Sequence, residues 1–168
     1  MNKNILITGR PGCGKTTLVK RLTAALPHLN PVGFYTEEIR AGGIRTGFSL
    51  NGLDGKTSIL AHVDLKSRYR VGKYSVDIEA FEEFIESIPF FNSSTEMILI
   101  DEIGKMECFS ATFIRYLNDI LDSNIPLIAT IALKGAGPIA TIKRRPDVDL
   151  FELTEDNQDI LFEKIIST

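Results

Sequence analysis

At 168 residues, 43% hydrophobic and 24% charged, the chain is too apolar to be disordered and has the size of one domain, residues 1–168, with a sizeable core. A net charge of −3 and the absence of a long basic run disfavour nucleic acid as a general partner. No apolar run is long enough to span a bilayer, the N-terminus lacks a secretory h-region, and Cys13 and Cys108 form neither a disulfide framework nor a metal-ligand pattern, so a cytoplasmic protein with no membrane partner is expected.

Asn4-Ile5-Leu6-Ile7-Thr8 is short, apolar and β-branched, and reads as a buried parallel strand. The next eight residues, Gly9-Arg10-Pro11-Gly12-Cys13-Gly14-Lys15-Thr16, fit the phosphate-binding pattern G-x-x-x-x-G-K-[S/T]. Glycines let the backbone curl so that successive N–H groups face phosphate oxygens. Lys15 is placed to reach the β- and γ-phosphates, and the Thr16 hydroxyl to ligate Mg²⁺. The following helix adds the positive end of its dipole. Leu18, Val19, Leu22, Ala25 and Leu26 recur at helical spacing until Pro27 stops them. Strand, glycine loop and helix are the context this motif requires.

Pro31 to Ile39 reads as a second strand ending in the carboxylates Glu37 and Glu38. Gly42-Gly43 makes a turn, Ile44 to Leu50 suits a returning strand, and Lys56 to Val63 a further short antiparallel one. Residues 64–76 are polar and read as irregular. Asp77 caps a helix with Ile78, Phe81, Phe84, Ile85 and Ile88 on one stripe, closed by Pro89. Met97-Ile98-Leu99-Ile100 has no polar break, as in a strand covered on both faces, and leads into Asp101-Glu102. Ser110 caps a helix with Phe113, Ile114, Leu117, Ile120 and Leu121 inward. Pro126 to Leu133 is the next strand, Ala136 to Lys143 a short helix or turn, and Val148 to Leu153 the last strand. Thr154 is expected to cap a terminal helix carrying Ile160, Leu161, Ile165 and Ile166. Alternating helices and apolar strands predict an α/β fold with a mainly parallel sheet, whose ligands bind beyond the carboxyl ends of the strands.

Four apolar residues followed by Asp are the expected partner of a phosphate loop. Asp101 would hold Mg²⁺ beside Thr16. A carboxylate one position later, Glu102, can polarise a water for in-line attack on the γ-phosphate, which favours hydrolysis over transfer. The plainer reading has Glu102 ending a strand or pairing with Lys105.

These motifs together resemble the small P-loop nucleoside-triphosphatase family that includes the cancer-related nucleoside-triphosphatase and its thermophile relatives. The matching stretches are Gly9 to Thr17, Gly33-Phe34-Tyr35-Thr36-Glu37-Glu38-Ile39-Arg40, Arg45-Thr46-Gly47-Phe48, Arg70 to Tyr74, Asp101-Glu102-Ile103-Gly104-Lys105-Met106-Glu107 and Arg144 to Val148. The resemblance implies a RecA-like core, to which the strands around Gly42-Gly43 add an antiparallel hairpin extension. It also implies Mg²⁺-dependent hydrolysis of ATP, GTP, CTP and UTP to diphosphate and phosphate. It places nucleotide contacts on Gly9, Arg10, Pro11, Gly12, Cys13, Gly14, Lys15, Thr16 and Thr17 and on Asp101, Glu102, Ile103, Gly104 and Lys105. Relatives often have a small aliphatic residue where this chain has Cys13, a position that contributes mainly backbone.

In the hydrolytic reading Lys15 and Glu102 are catalytic, and Thr16 and Asp101 hold the metal. A nucleotide or small-molecule kinase on the same scaffold is the alternative, and a non-enzymatic nucleotide-binding module a third. Thr130 is either a γ-phosphate sensor or an ordinary strand residue. Glu37 and Glu38 either orient water or pair with Arg40 and Arg45. Arg70 and Lys73 either close over phosphates or face solvent. Lys143-Arg144-Arg145 reads as a surface cluster in preference to a source of a charge-stabilising arginine. His28 and His62 read as structural, and Phe34, Tyr35 and Phe48 as core.

Overall fold

The computed structural model describes residues 2–167. Nine strands form one sheet in the order β5-β6-β4-β3-β2-β7-β8-β1-β9. Five strands are parallel: β1 (Asn4–Thr8), β2 (Pro31–Ala41), β7 (Met97–Ile103), β8 (Leu127–Ile131) and β9 (Val148–Glu152). Beyond β2 the sheet continues antiparallel through β3 (Ile44–Gly52), β4 (Thr57–His62), β6 (Tyr74–Val76) and β5 (Arg70–Val71). The α/β architecture, the parallel core and the hairpin extension are those the sequence pattern predicts. The segment 64–76 is a correction. Its end forms the hairpin β5–β6 around Gly72, which has φ +57°, and its alternation is too short to register as a strand.

Alternate residues of the central strands feed opposite faces, as strand geometry requires. Leu6, Ile98, Ile100, Leu127 and Ala129 pack under α2 (Ile78–Glu86), α3 (Ala111–Asp122) and α4 (Pro138–Lys143). Ile5, Ile7, Leu99 and Ile128 pack under α1 (Lys15–Ala25) and α5 (Gln158–Ile166). Phe34 is fully buried where the first face meets the extension, edge-on to Phe81, Phe84 and Phe113. The caps at Asp77 and Ser110 form as expected, their side chains accepting from the amides of Ala80 and Phe113.

Several helix-stripe residues fall elsewhere. Ala25 is exposed, and so is Ile160, because the buried stripe of α5 runs through Leu161 and Ile165. Its N-cap is Asn157 rather than Thr154, and the Asn157 carboxamide bridges the amide of Thr154 and the carbonyl of Glu152. Asn157 thus organises the turn that Thr154 only enters.

Candidate active site

The parallel strands all release their chains at one edge. Gly9 follows β1, Asp101 and Glu102 lie near the end of β7, and Thr130 lies near the end of β8. A cleft of about 1400 Å³ opens there. Gly9, Arg10, Pro11, Gly12, Gly14, Lys15, Thr16, Thr17, Glu102, Gly104 and Lys105 all line it. Of the predicted contacts, Cys13, Asp101 and Ile103 do not reach its surface, and each has a reason. The Cys13 sulfur turns inward against Gly9, where a methyl group on Gly9 would meet it at 2.7 Å, so this position packs as well as lending its backbone. Ile103 is fully buried in the sheet, and Asp101 lies one layer deeper, under the hydroxyls that hold it.

The loop closes on itself. The Cys13 amide donates to the Arg10 carbonyl at 3.2 Å, and Gly12 and Gly14 take φ of +77° and +99°, which favour glycine. Gly14 is the N-cap of α1 and contributes no side chain, so the first helical amides carry no side-chain cap. The Lys15 ammonium is folded across the loop and donates to the carbonyls of Gly9 at 2.9 Å and Arg10 at 3.2 Å. From α5, the Gln158 carboxamide donates to the Gly14 carbonyl at 3.2 Å.

Asp101 is fastened on both oxygens. Thr16 donates to Oδ2 at 2.6 Å and Thr130 to Oδ1 at 2.6 Å. Burial raises its proton affinity, opposed by the two hydroxyls, a bond from the Thr36 backbone and the Lys15 charge. Thr130 thus serves as a second support for Asp101.

Glu102 faces the cleft because of a register break. β7 advances three residues, from Ile100 to Ile103, while β8 advances two, from Ala129 to Ile131. The extra residue makes a bulge, and bulges re-aim side chains beside active sites. The peptide joining Asp101 and Glu102 is cis. Burial raises the proton affinity of Glu102, opposed by the Lys15 charge and assisted by that of Asp101.

The remaining candidates divide by position. Glu38 binds Arg40 and Arg45, and Glu37 pairs with Lys20. Arg45 and Glu38 line the cleft, and Arg45 is also held by Tyr74 at 2.8 Å. Lys143 donates to Leu133, a residue of the cleft wall. Arg144 bonds back into its own helix, and Arg145 sits at the opposite end of the sheet between Asp122 and Asp147. Glu107, assigned no role by the sequence, is buried at the wall of the cleft. A carboxylate followed at once by Cys-Phe and a helix cap gives no sequence signal of its burial.

Residues 4–166 match the family model described as NTPase. The chain is 47% identical over 164 residues to nucleoside-triphosphatase THEP1 of Thermotoga maritima, covering 97% of this chain and 93% of that protein. It is 36% identical over 185 residues to the human cancer-related nucleoside-triphosphatase, covering 99% and 96%. The crystal structure of THEP1 from Aquifex aeolicus superimposes with a TM-score of 0.85 at 38% identity, covering 98% of this chain and 97% of that one. These relatives carry the names of triphosphatases, and none of the three is named a kinase. The chain belongs to this nucleoside-triphosphatase family.

Proposed function

We propose that the whole chain, 1–168, is one catalytic domain that hydrolyses nucleoside triphosphates of several bases to the diphosphate and phosphate, with Mg²⁺. The observation that carries the reading is Glu102. It opens on the same cleft as Lys15 and Thr16, one residue from the carboxylate that Thr16 holds at 2.6 Å. A carboxylate next to the phosphate cradle can accept a proton from the attacking water. A transferase would shield that position instead.

In this reading the loop amides and the Lys15 ammonium neutralise the β- and γ-phosphates. The Lys15 ammonium exchanges its bonds to the Gly9 and Arg10 carbonyls for phosphate oxygens. Thr16 and Asp101 offer a hydroxyl and a carboxylate, the hard oxygen donors Mg²⁺ takes. When bound, the ion screens the charge developing on the phosphates. Glu102 takes the proton of the attacking water as its oxygen bonds the γ-phosphorus and the β–γ bridge breaks. The phosphate loop engages the triphosphate that ATP, GTP, CTP and UTP share, and in this reading all four are substrates.

The test is phosphate release from each of the four triphosphates, with and without Mg²⁺ and with no acceptor present. Lys15→Ala should lose tight triphosphate binding. Glu102→Gln should keep binding and slow turnover by about 10²–10⁴-fold. Unchanged turnover in Glu102→Gln removes it from the reaction.

A further inference from the structure

Glu107 stands in the single 3₁₀ turn Glu107–Phe109 that follows β7. It is 5% exposed, and its Oε2 accepts from the Gly104 amide at 3.1 Å. Glu102 approaches Gly104 as well. A methyl group on Gly104 would meet Glu107 Oε2 at 2.8 Å and Glu102 Oε1 at 3.0 Å. Two carboxyl groups therefore close on one glycine, and the absence of a side chain at Gly104 is what admits both. A buried carboxyl carries a desolvation cost, and a second one beside it adds repulsion. Leucine or methionine would fill the same space without either cost, so a plain packing role does not account for glutamate here.

We infer that Glu107 is a positioning residue for Glu102: by holding the Gly104 amide it fixes the turn against which the Glu102 carboxylate is set, and so aims that carboxylate into the cleft. The inference rests on the reading of Glu102 as the group that activates water. Burial, then the charges of Glu102 and Asp101 on β7, push the Glu107 carboxyl up to about 8, so at neutral pH it holds a proton and does not repel Glu102. Lys15 faces Glu102 from α1, Arg45 and Lys105 line the same cleft, and Cys108 beside Glu107 is pushed up to about 12 and stays neutral.

The experiment compares Glu107→Ala, Glu107→Gln and Gly104→Ala with Glu102→Gln. Turnover of ATP with Mg²⁺ is followed from pH 6 to 9.5, with equilibrium binding of the non-hydrolysable analogue AMP-PNP. Glu107→Ala and Gly104→Ala should each lower kcat at least tenfold, and Glu107→Ala should change KM and AMP-PNP affinity less than about threefold. Gly104→Ala reads the clamp without removing either carboxyl, and its backbone is not in the left-handed region. Glu107→Gln keeps an acceptor for the Gly104 amide and no charge. It should stay within about threefold of wild type at pH 7 and keep its rate above pH 8, where wild type falls as Glu107 ionises. Wild-type kcat in both Glu107→Ala and Gly104→Ala overturns the proposal. So does a Glu107→Gln profile that falls with wild type above pH 8. If Glu102→Gln is inactive while the Glu107 and Gly104 variants turn over normally, the positioning role alone fails. A fully active Glu102→Gln removes the hydrolytic reading and this role with it.

Discussion

Thr130 holds Asp101 from the neighbouring parallel strand, its hydroxyl donating to Oδ1 at 2.6 Å while Thr16 takes the other oxygen. Both residues are essentially without solvent exposure. Thr130 therefore supports the carboxylate from beneath the cleft. Thr130→Val removes one bond to a buried charged group, which costs about 2 kcal/mol of stability. On the proposal that Asp101 holds Mg²⁺, it should also raise the Mg²⁺ concentration for half-maximal turnover about tenfold, the usual effect of losing a support behind a metal ligand. Thr130→Ser should recover both. Denaturant unfolding and a Mg²⁺ titration of phosphate release check this. An unchanged Mg²⁺ requirement in Thr130→Val would make the bond structural only.

A second prediction concerns Gly33, a strand residue whose reason is invisible in the sequence. It has φ +141° and pairs with Leu99 of β7, and a methyl group there would sit 1.7 Å from the Leu99 carbonyl oxygen. The backbone itself would have to move, at the junction between the parallel core and the antiparallel extension. Gly33→Ala should cost more than about 4 kcal/mol, beyond the ordinary range for single substitutions. Its failure to accumulate as folded protein, or a large fall in Tm by circular dichroism, is the expected result. A Tm within 2–4 °C of wild type, worth about 1 kcal/mol in a chain of this size, contradicts it.

Apolar runs and a phosphate-loop pattern are strong local signals, so the five parallel strands, α1 and the loop could be read directly. Asp101 and Glu102 were legible as a pair expected at one site, but not the backbone that lets two strand neighbours share it. Strict alternation sends neighbouring strand residues to opposite faces, and only the bulge between Ile100 and Ile103 changes that. Glu107 was hidden for a different reason. Its environment is made by Gly104 and Glu102 through three-dimensional packing, and a glutamate in a polar loop looks solvated by default. Thr130 stood undecided between sensor and strand residue, because its partner lies 29 positions away on another strand.

Arg145 gives a prediction of little effect on catalysis. Its guanidinium bonds Asp147 and Asp122, and Asp147 in turn accepts from Asn4, at the start of β1. That is the edge of the sheet away from the cleft. Both partners raise its proton affinity, and it lowers that of Asp147. Partial exposure limits what such pairs contribute, to about 1 kcal/mol. Arg145→Ala should leave kcat and KM within about twofold and lower Tm by a few degrees. A hundredfold loss of kcat would instead place this arginine in the reaction, through a second copy of the chain.

Glu107 also leaves a mark on stability that is independent of turnover. Its folded carboxyl titrates at about 8 against an ordinary value of 4.5. The folded state therefore binds more protons than the unfolded state between those values. Stability contributed by this group is full below about pH 4.5, falls as pH rises through the window, and is lost above about 8, by roughly 5 kcal/mol in all. Glu107→Gln has no such proton to lose. Asp101 and Glu102 are also raised by burial, and because their charges act on Glu107 the slope difference is that of the coupled group. The difference in denaturant midpoint between Glu107→Gln and wild type, measured without nucleotide at pH 5, 7 and 9, should therefore move in favour of the variant from pH 5 to pH 8 and then level off. Parallel curves across that range would mean that Glu107 is ionised in the folded protein, and that Gly104 is clamped by a charge rather than by an acid.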